Sequence, residues 1–251
     1  MMQKIDLKSY LEERKIYILN EGRNKIKNQG IDDIFKQVGN ILLFQSRVKE
    51  YRVNLLPRIG GSIGREIDNY NCAGILLEKY LGILQNKKNI NLIDSYLIKN
   101  GDDLLQRAKQ SLKNLCLNNY RKLIKRSMCN YEVCLGRVDE GNLIVSDNEE
   151  IFIGTIKYLT YNIKEHDIYS YIKKIKKRDI GIDIDELISF YIEKSSLDNS
   201  SKEYLKSLTA YPNEEFKIVE RYILGKITIN EREILENLHE AKRIDNKYLI
   251  I

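Results

Sequence analysis

Few residue patterns in this chain could do chemistry. Gly60-Gly61-Ser62-Ile63-Gly64 has the composition of a phosphate cradle. It lacks the Lys-Ser/Thr pair that ends a nucleotide-binding loop, and no strand pattern leads into it. A plain flexible loop is the expectation there. The four cysteines, Cys72, Cys116, Cys129 and Cys134, include no Cys-x-x-Cys pair, and the two histidines, His166 and His239, are far apart. A zinc site is not expected, and the cysteines read as reduced thiols. Asp139, in Val138-Asp139-Glu140-Gly141, is a carboxylate in a turn-forming context. Asn142 reads as a turn-stabilising side chain. Asp167 reads as a helix N-cap or as an acceptor that ties a loop down.

Asp139 and Asn142 lie in the stretch Tyr131–Lys157. Three β-type runs occur there, Glu132–Val138, Asn142–Ser146 and Glu150–Ile156, and Asp147-Asn148 makes a tight turn between the second and third. Helical periodicity fills the chain on either side. A helix is expected over residues 5–28, with Asp6 as N-cap, and a second carries the stripe Ile31, Ile34, Phe35, Val38, Ile41, Leu42 and Phe44. Residues 47–64 read as a connection. Further helices are expected over Ile67–Leu84 and from Leu92 to Leu97. Gly101 reads as a break, with Asp102 and Asp103 starting a new helix toward Leu115. Tyr120–Met128 reads as a short basic helix and Tyr158–Ile163 as a connection. Helices are then expected from His166 to Arg178, from Asp183 through Ile192, from Ser200 or Ser201 to Leu208, after Pro212, and from Asn230 to Arg243. The basic run Lys173–Arg178 complements the dipole at a helix C-terminus.

With 251 residues, 43% of them hydrophobic, the chain can bury a core without disulfides or metal. A net charge of +6, with both signs interleaved along the helices, describes a solvated surface better than a nucleic-acid face. The sequence is polar from Gln3 onward and has no bilayer-length apolar run. A soluble, cytoplasmic protein is expected.

The stretch Tyr131–Lys157 resembles the catalytic segment of the aminoglycoside phosphotransferase and choline kinase superfamily, and its CotS-type spore-coat branch in particular. That family carries His-x-Asp-x-x-x-x-Asn, a hairpin, and then Ile-Asp-Phe-Glu. Laid on this chain, the Asn falls on Asn142, the Asp on Arg137 and the His on Leu135. The later Asp falls on Thr155, the Phe on Ile156 and the Glu on Lys157. Phe44-Gln45 stands where the family has Phe-His, and Ala210–Phe216 resembles its Phe-Pro-x-x-Phe stretch. The resemblance runs from Ile31 to Lys226.

It implies a mainly α (α+β) fold: a protein-kinase-like C-terminal lobe with a small β-hairpin and no N-terminal lobe. Residues 1–30 would form a leading helix and 31–251 one domain. In such a family the motif Asp orients the acceptor hydroxyl and the later Asp ligates magnesium. Arg137 stays protonated and Thr155 is a poor ligand for a hard cation. The expectation is therefore a pseudokinase, not an enzyme, with no cofactor and no metal. It would act through protein partners or self-association in assembly of the spore coat. Nucleic acid and membrane are not expected partners. Two alternatives stay open. One is an active ATP-dependent phosphotransferase with an atypical site, in which Asp139 replaces the lost base. The other is a basic helical module that binds an anionic ligand.

Overall fold

The computed structural model describes residues 6–19, 30–49, 51, 58–115, 117–178 and 180–246. The chain falls into two compact units, one of Met1–Ile63 with Leu117–Leu205, the other of Gly64–Cys116 with Lys206–Ile251.

The first unit opens with α1 (Leu7–Glu12). Asp6 caps it as expected, its carboxylate accepting from Ser9 N at 2.9 Å. The helix expected over 5–28 ends here. Lys15 takes a left-handed φ of 57°, and Ile16-Tyr17-Ile18 becomes strand β1 (Ile16–Ile18). Two β-branched residues around a tyrosine favour a strand, and Ile16 is fully buried in it. Residues 5 and 20–28 of the expected helix lie outside the described residues. α2 (Ile31–Arg47) carries the predicted stripe, with Ile34, Val38, Ile41 and Phe44 buried.

Two small sheets follow. β1 runs parallel to β5 (Ile151–Ile153), which pairs antiparallel with β4 (Leu143–Val145). The β4–β5 connection is a wider turn than the expected pair. Ser146 N donates to Glu150 O at 2.9 Å, and Glu149 adopts φ 58° after Asp147-Asn148. That is a three-residue hairpin loop closed by a left-handed residue. In the second sheet, β6 (Thr160–Tyr161) lies between β2 (Gly60–Gly61), parallel to it, and β3 (Val133–Cys134), antiparallel to it. The glycine-rich stretch is thus paired backbone rather than a free loop, and the 158–163 connection contains a strand.

α5 (Leu117–Asn130), α6 (Glu165–Arg178) and α7 (Ile184–Ser195) complete the unit, and α2 packs on α6, α7 and β4. α7 starts where expected, and Asp183 is its cap, accepting from Asp185 N at 2.8 Å. α8 (Asn199–Ala210) leads into the second unit.

The second unit is helical among its described residues. α3 (Arg65–Leu84) packs on α4 (Leu92–Lys113) and α9 (Asn213–Ile223), and α10 (Glu231–Asn246) packs on α9 and α4. Gly101 does not break α4. It is buried where α3 crosses, and a Cβ there would lie 2.6 Å from Leu81 Cδ2. The glycine marks close helix contact instead of a stop. Tyr211 stacks on Tyr70 with ring centroids 3.8 Å apart and packs on Phe216, which accounts for the aromatic pattern around Pro212.

The architecture is mostly α, as the resemblance implies, but in place of the one small hairpin expected it holds two small three-stranded sheets. Ahead of α2 the described residues hold only α1 and β1.

Candidate active site

The loop between β3 and β4 is fixed at both ends before any catalytic question arises. At its start, Leu135 N and Gly136 N donate to the two Asp167 carboxylate oxygens, at 3.0 and 2.8 Å. Asp167 sits in the first turn of α6 and is fully buried. Gly136 has φ 74°, and a Cβ on it would meet Tyr158 O at 2.8 Å. Only glycine allows that turn and that approach. Leu135, at the position of the motif His, is a buried apolar side chain.

At the other end Asn142 acts as a staple. Its Nδ2 donates to Arg137 O at 2.6 Å and to Thr155 O at 3.2 Å. Its Oδ1 accepts from Thr155 N at 2.7 Å. Gly154 leaves room for this, because a Cβ there would lie 3.1 Å from Asn142 Oδ1. Buried Gln37 adds two bonds from α2, to Val138 O at 2.7 Å and Leu143 O at 3.0 Å. The structure thus brings Arg137, Asn142 and Thr155 together. Lys157 joins them through its backbone N, which donates to Thr155 Oγ1 at 3.2 Å, while its exposed amine lies 5.9 Å from the Tyr158 ring centroid.

Inside this frame is Asp139, which is largely buried. Its Oδ2 accepts from Arg137 Nε at 3.2 Å and from the Lys174 ammonium of α6. Its Oδ1 accepts from Gly141 N at 3.2 Å. Burial pushes the Asp139 pKa up, but the hydrogen bonds and charges of Lys174 and Arg137 outweigh it and hold the group below its ordinary value. The carboxylate is therefore ionised at neutral pH. The Arg137 and Lys174 side chains are 48% and 42% exposed, so both cations also face solvent. Next to it, Glu140 takes a bidentate pair from Arg178, at 2.9 and 3.2 Å, and the Tyr171 hydroxyl.

Asp167 behaves differently. Burial pushes it up to about 6, against the hydrogen bonds from Gly136, Leu135 and Gln45 that favour its charged form. Gln45, in place of the family's His, also donates to Lys164 O at 2.8 Å and accepts from Tyr191 at 3.0 Å. Cys134 is buried, and burial raises its thiol pKa, so it is no nucleophile.

The magnesium that this kind of fold implies does not fit these residues. The Asn142 amide is committed to backbone on both its nitrogen and its oxygen, and Thr155 Oγ1 accepts from Lys157 N. Among the described residues no group of three His, Cys, Asp or Glu side chains could hold a metal ion.

Lys174 and Arg178 belong to the site, although their basic run reads from the sequence as a complement to the helix dipole. Their i, i+4 spacing, which puts both on one helix face, is the signal that could have found them.

No protein-family model matches the chain, and no curated protein sequence does either. Solved structures do match. An aminoglycoside phosphotransferase from Alicyclobacillus acidocaldarius superposes with a TM-score of 0.69 at 10% identity, over 86% of this chain and 64% of that one. The fold is that of the kinase-like phosphotransferases. A spectinomycin phosphotransferase, solved with ADP and spectinomycin, superposes with a TM-score of 0.52 at 14% identity, over 91% of this chain and 69% of that one. The chain thus spans just under two thirds of the length of the first of these neighbours. They correct the expectation of a non-enzyme. Both of these neighbours are phosphotransferases, and neither gives support to a non-catalytic reading of the fold. No helix among the described residues is long and apolar enough to cross a membrane.

Proposed function

We propose that the chain binds and orients the hydroxyl acceptor of a phosphoryl transfer, with Asp139 in the role that the kinase-like fold gives to a loop carboxylate. The observation that carries this reading is the ionised Asp139, held between Arg137 and Lys174 on a loop clamped by Asp167 and Asn142. A carboxylate with a lowered pKa orients an attacking hydroxyl better than it removes the proton early. Early proton removal is not required where the transition state is loose and the phosphoryl group carries the charge. Arg137 and Lys174 face solvent beside it and can draw in phosphoryl oxygens.

The test is transfer from γ-labelled ATP to a panel of small hydroxyl acceptors that includes aminoglycosides and spectinomycin. Wild-type protein should label at least one acceptor, and Asp139→Asn should lower the rate about a hundredfold or more, in line with losing a positioning group. A panel with no labelled product, or an Asp139→Asn variant as fast as wild type, defeats the reading. The narrower assignment to the CotS-type branch, with coat assembly and protein partners, rests on the Asn142–Ile153 and Tyr211–Phe216 stretches and on Asp167. Following a tagged copy through spore formation in a sporulating host tests that assignment separately.

A further inference from the structure

The first unit holds a cavity whose lining does not include Arg137, Asp139 or Lys174. It encloses about 290 Å³ where the C-terminal ends of α2 and α5 meet β3. Its walls are mixed. Val48 and Val133, both 3% exposed, form an apolar part. The Tyr131 ring lines it as an exposed side chain. Lys49 and Lys164 supply two amines.

The charges in this cavity are unevenly committed. Glu132 is the only acid among the described residues that line it, and both Glu132 oxygens are held by Arg126, at 2.8 and 3.0 Å. The second oxygen also accepts from the Lys164 backbone N. Gln45 is spent as well, on Lys164 O and on Tyr191. The Lys164 ammonium has no hydrogen bond or ion pair among the described residues. Burial lowers its pKa, with Arg126 and Lys49 pressing the same way and Glu132 and Glu165 opposing. A half-buried ammonium without a partner is costly, and an anion in the cavity would relieve that cost.

Backbone geometry at the mouth is a separate observation. Tyr131 has φ 50°, a left-handed value that costs a non-glycine residue roughly 1–2 kcal/mol. Glycine is the ordinary residue in that position after a helix. The tyrosine holds its ring at the cavity instead.

We propose that this cavity binds a small organic anion, its charge meeting Lys164 and Lys49 and its apolar body lying against Val48, Val133 and the Tyr131 ring. The recognised chemistry is a carboxylate or phosphate on a compact apolar group. Kinase activity is not needed for it, so failure of either proposal leaves the other standing.

The experiment is lysine footprinting by reductive methylation, read by mass spectrometry on the full chain. The probes are benzoate, phenyl phosphate and the neutral benzamide. At saturating probe, one or both anions should slow labelling of Lys164 about tenfold and of exposed Lys88 not at all, and benzamide should protect neither. The anion that protects identifies the preferred headgroup. Lys164→Gln should abolish the anion-induced rise in melting temperature. Tyr131→Gly, which removes the ring and relieves the left-handed strain, should weaken binding about tenfold while raising the melting temperature of the free protein. The proposal fails if neither anion protects Lys164, if benzamide protects it equally, or if Tyr131→Gly binds like wild type.

Discussion

Each unit holds a buried carboxylate with an aromatic and polar surround, and the two behave in opposite ways. Asp167 in the first unit and Asp94 in the second are both 0% exposed. Among the described residues Asp167 meets no cation. It accepts from the backbone of Leu135 and Gly136 and from Gln45, and burial raises its pKa to about 6. Burial also acts on Asp94, but Lys87, the hydroxyls of Tyr80 and Tyr222, and Asn91 N pull its pKa below the ordinary value. Burial alone therefore does not decide the charge of an acid; the donors around it do. The two roles differ accordingly. Asp94 ties together side chains of a helical unit through a cation and two phenols. Asp167 holds the backbone of the loop that carries Asp139, and it does so without adding a positive charge beside that loop.

The neighbouring ion pairs test whether the number of donors decides the cost, and the largest effect is expected here. Fully buried Glu165 has Arg126 as its side-chain partner, at 2.6 and 2.9 Å. Glu215 in the second unit has Arg107 at 2.5 Å and also Tyr96 at 3.3 Å. Removing the only cation from a buried acid costs about 3–5 kcal/mol. Arg126→Met should reach that range in denaturant unfolding. Arg107→Met should cost less, because Tyr96 still donates to Glu215. A larger loss for Arg107→Met would break the argument.

Next in size is Asp167→Ala. It leaves the Leu135 and Gly136 N–H groups without their acceptor. A buried group left unpaired costs about 1–3 kcal/mol; the Gly136 N–H is only partly buried and costs less, so a loss of roughly 2–4 kcal/mol is expected. Phosphoryl transfer, where measured, should fall with it, because the Asp139 loop loses its anchor. A stable variant with unchanged hydrogen-exchange protection at Leu135 and Gly136 would show that Asn142 and Gln37 fix the loop by themselves.

How far the sequence foretold this arrangement depends on how local each feature is. Periodicity found α2 and α3, and capping chemistry found Asp6, because those signals lie within a few residues of the structure they cause. The alternation around residues 142–156 placed β4 and β5, and Asp167 was legible as a loop anchor. β1 was not, since its parallel partner β5 lies far along the chain and nothing near Ile16 announces it. Gly101 has the same lesson: a glycine is a stop signal in isolation, and here Leu81 on another helix explains it. In the site, the positions of Leu135, Arg137, Asn142 and Thr155 could be read. The expectation of a non-enzyme, which the phosphotransferase neighbours overturn, rested on counting motif residues. It did not see Lys174 and Arg137 converge on Asp139, which no spacing reveals.

The smallest expected effect is a slope against pH, and it sets the two acids directly against each other. Asp167 has a raised pKa, so between about 3.8 and 6 the folded state holds more protons than the unfolded one. Stability from this group then rises as pH falls through 6. Asp94 has a lowered pKa, so its contribution is present above its unfolded value and is lost as pH falls through its folded one. Asp167→Asn removes the first titration and leaves the second. The amide still accepts one of the two backbone N–H groups, so the variant should fold and can be compared with wild type. Relative to wild type it should be more destabilised at pH 5 than at pH 7, by on the order of 1 kcal/mol. Asp94→Asn should show the reverse trend, with its deficit shrinking as pH falls below 4. Parallel urea titrations of the three proteins from pH 3.5 to 7.5 measure both slopes. If the Asp167→Asn deficit is constant over that range, Asp167 titrates alike in the folded and unfolded chain, and the difference between the two buried acids disappears.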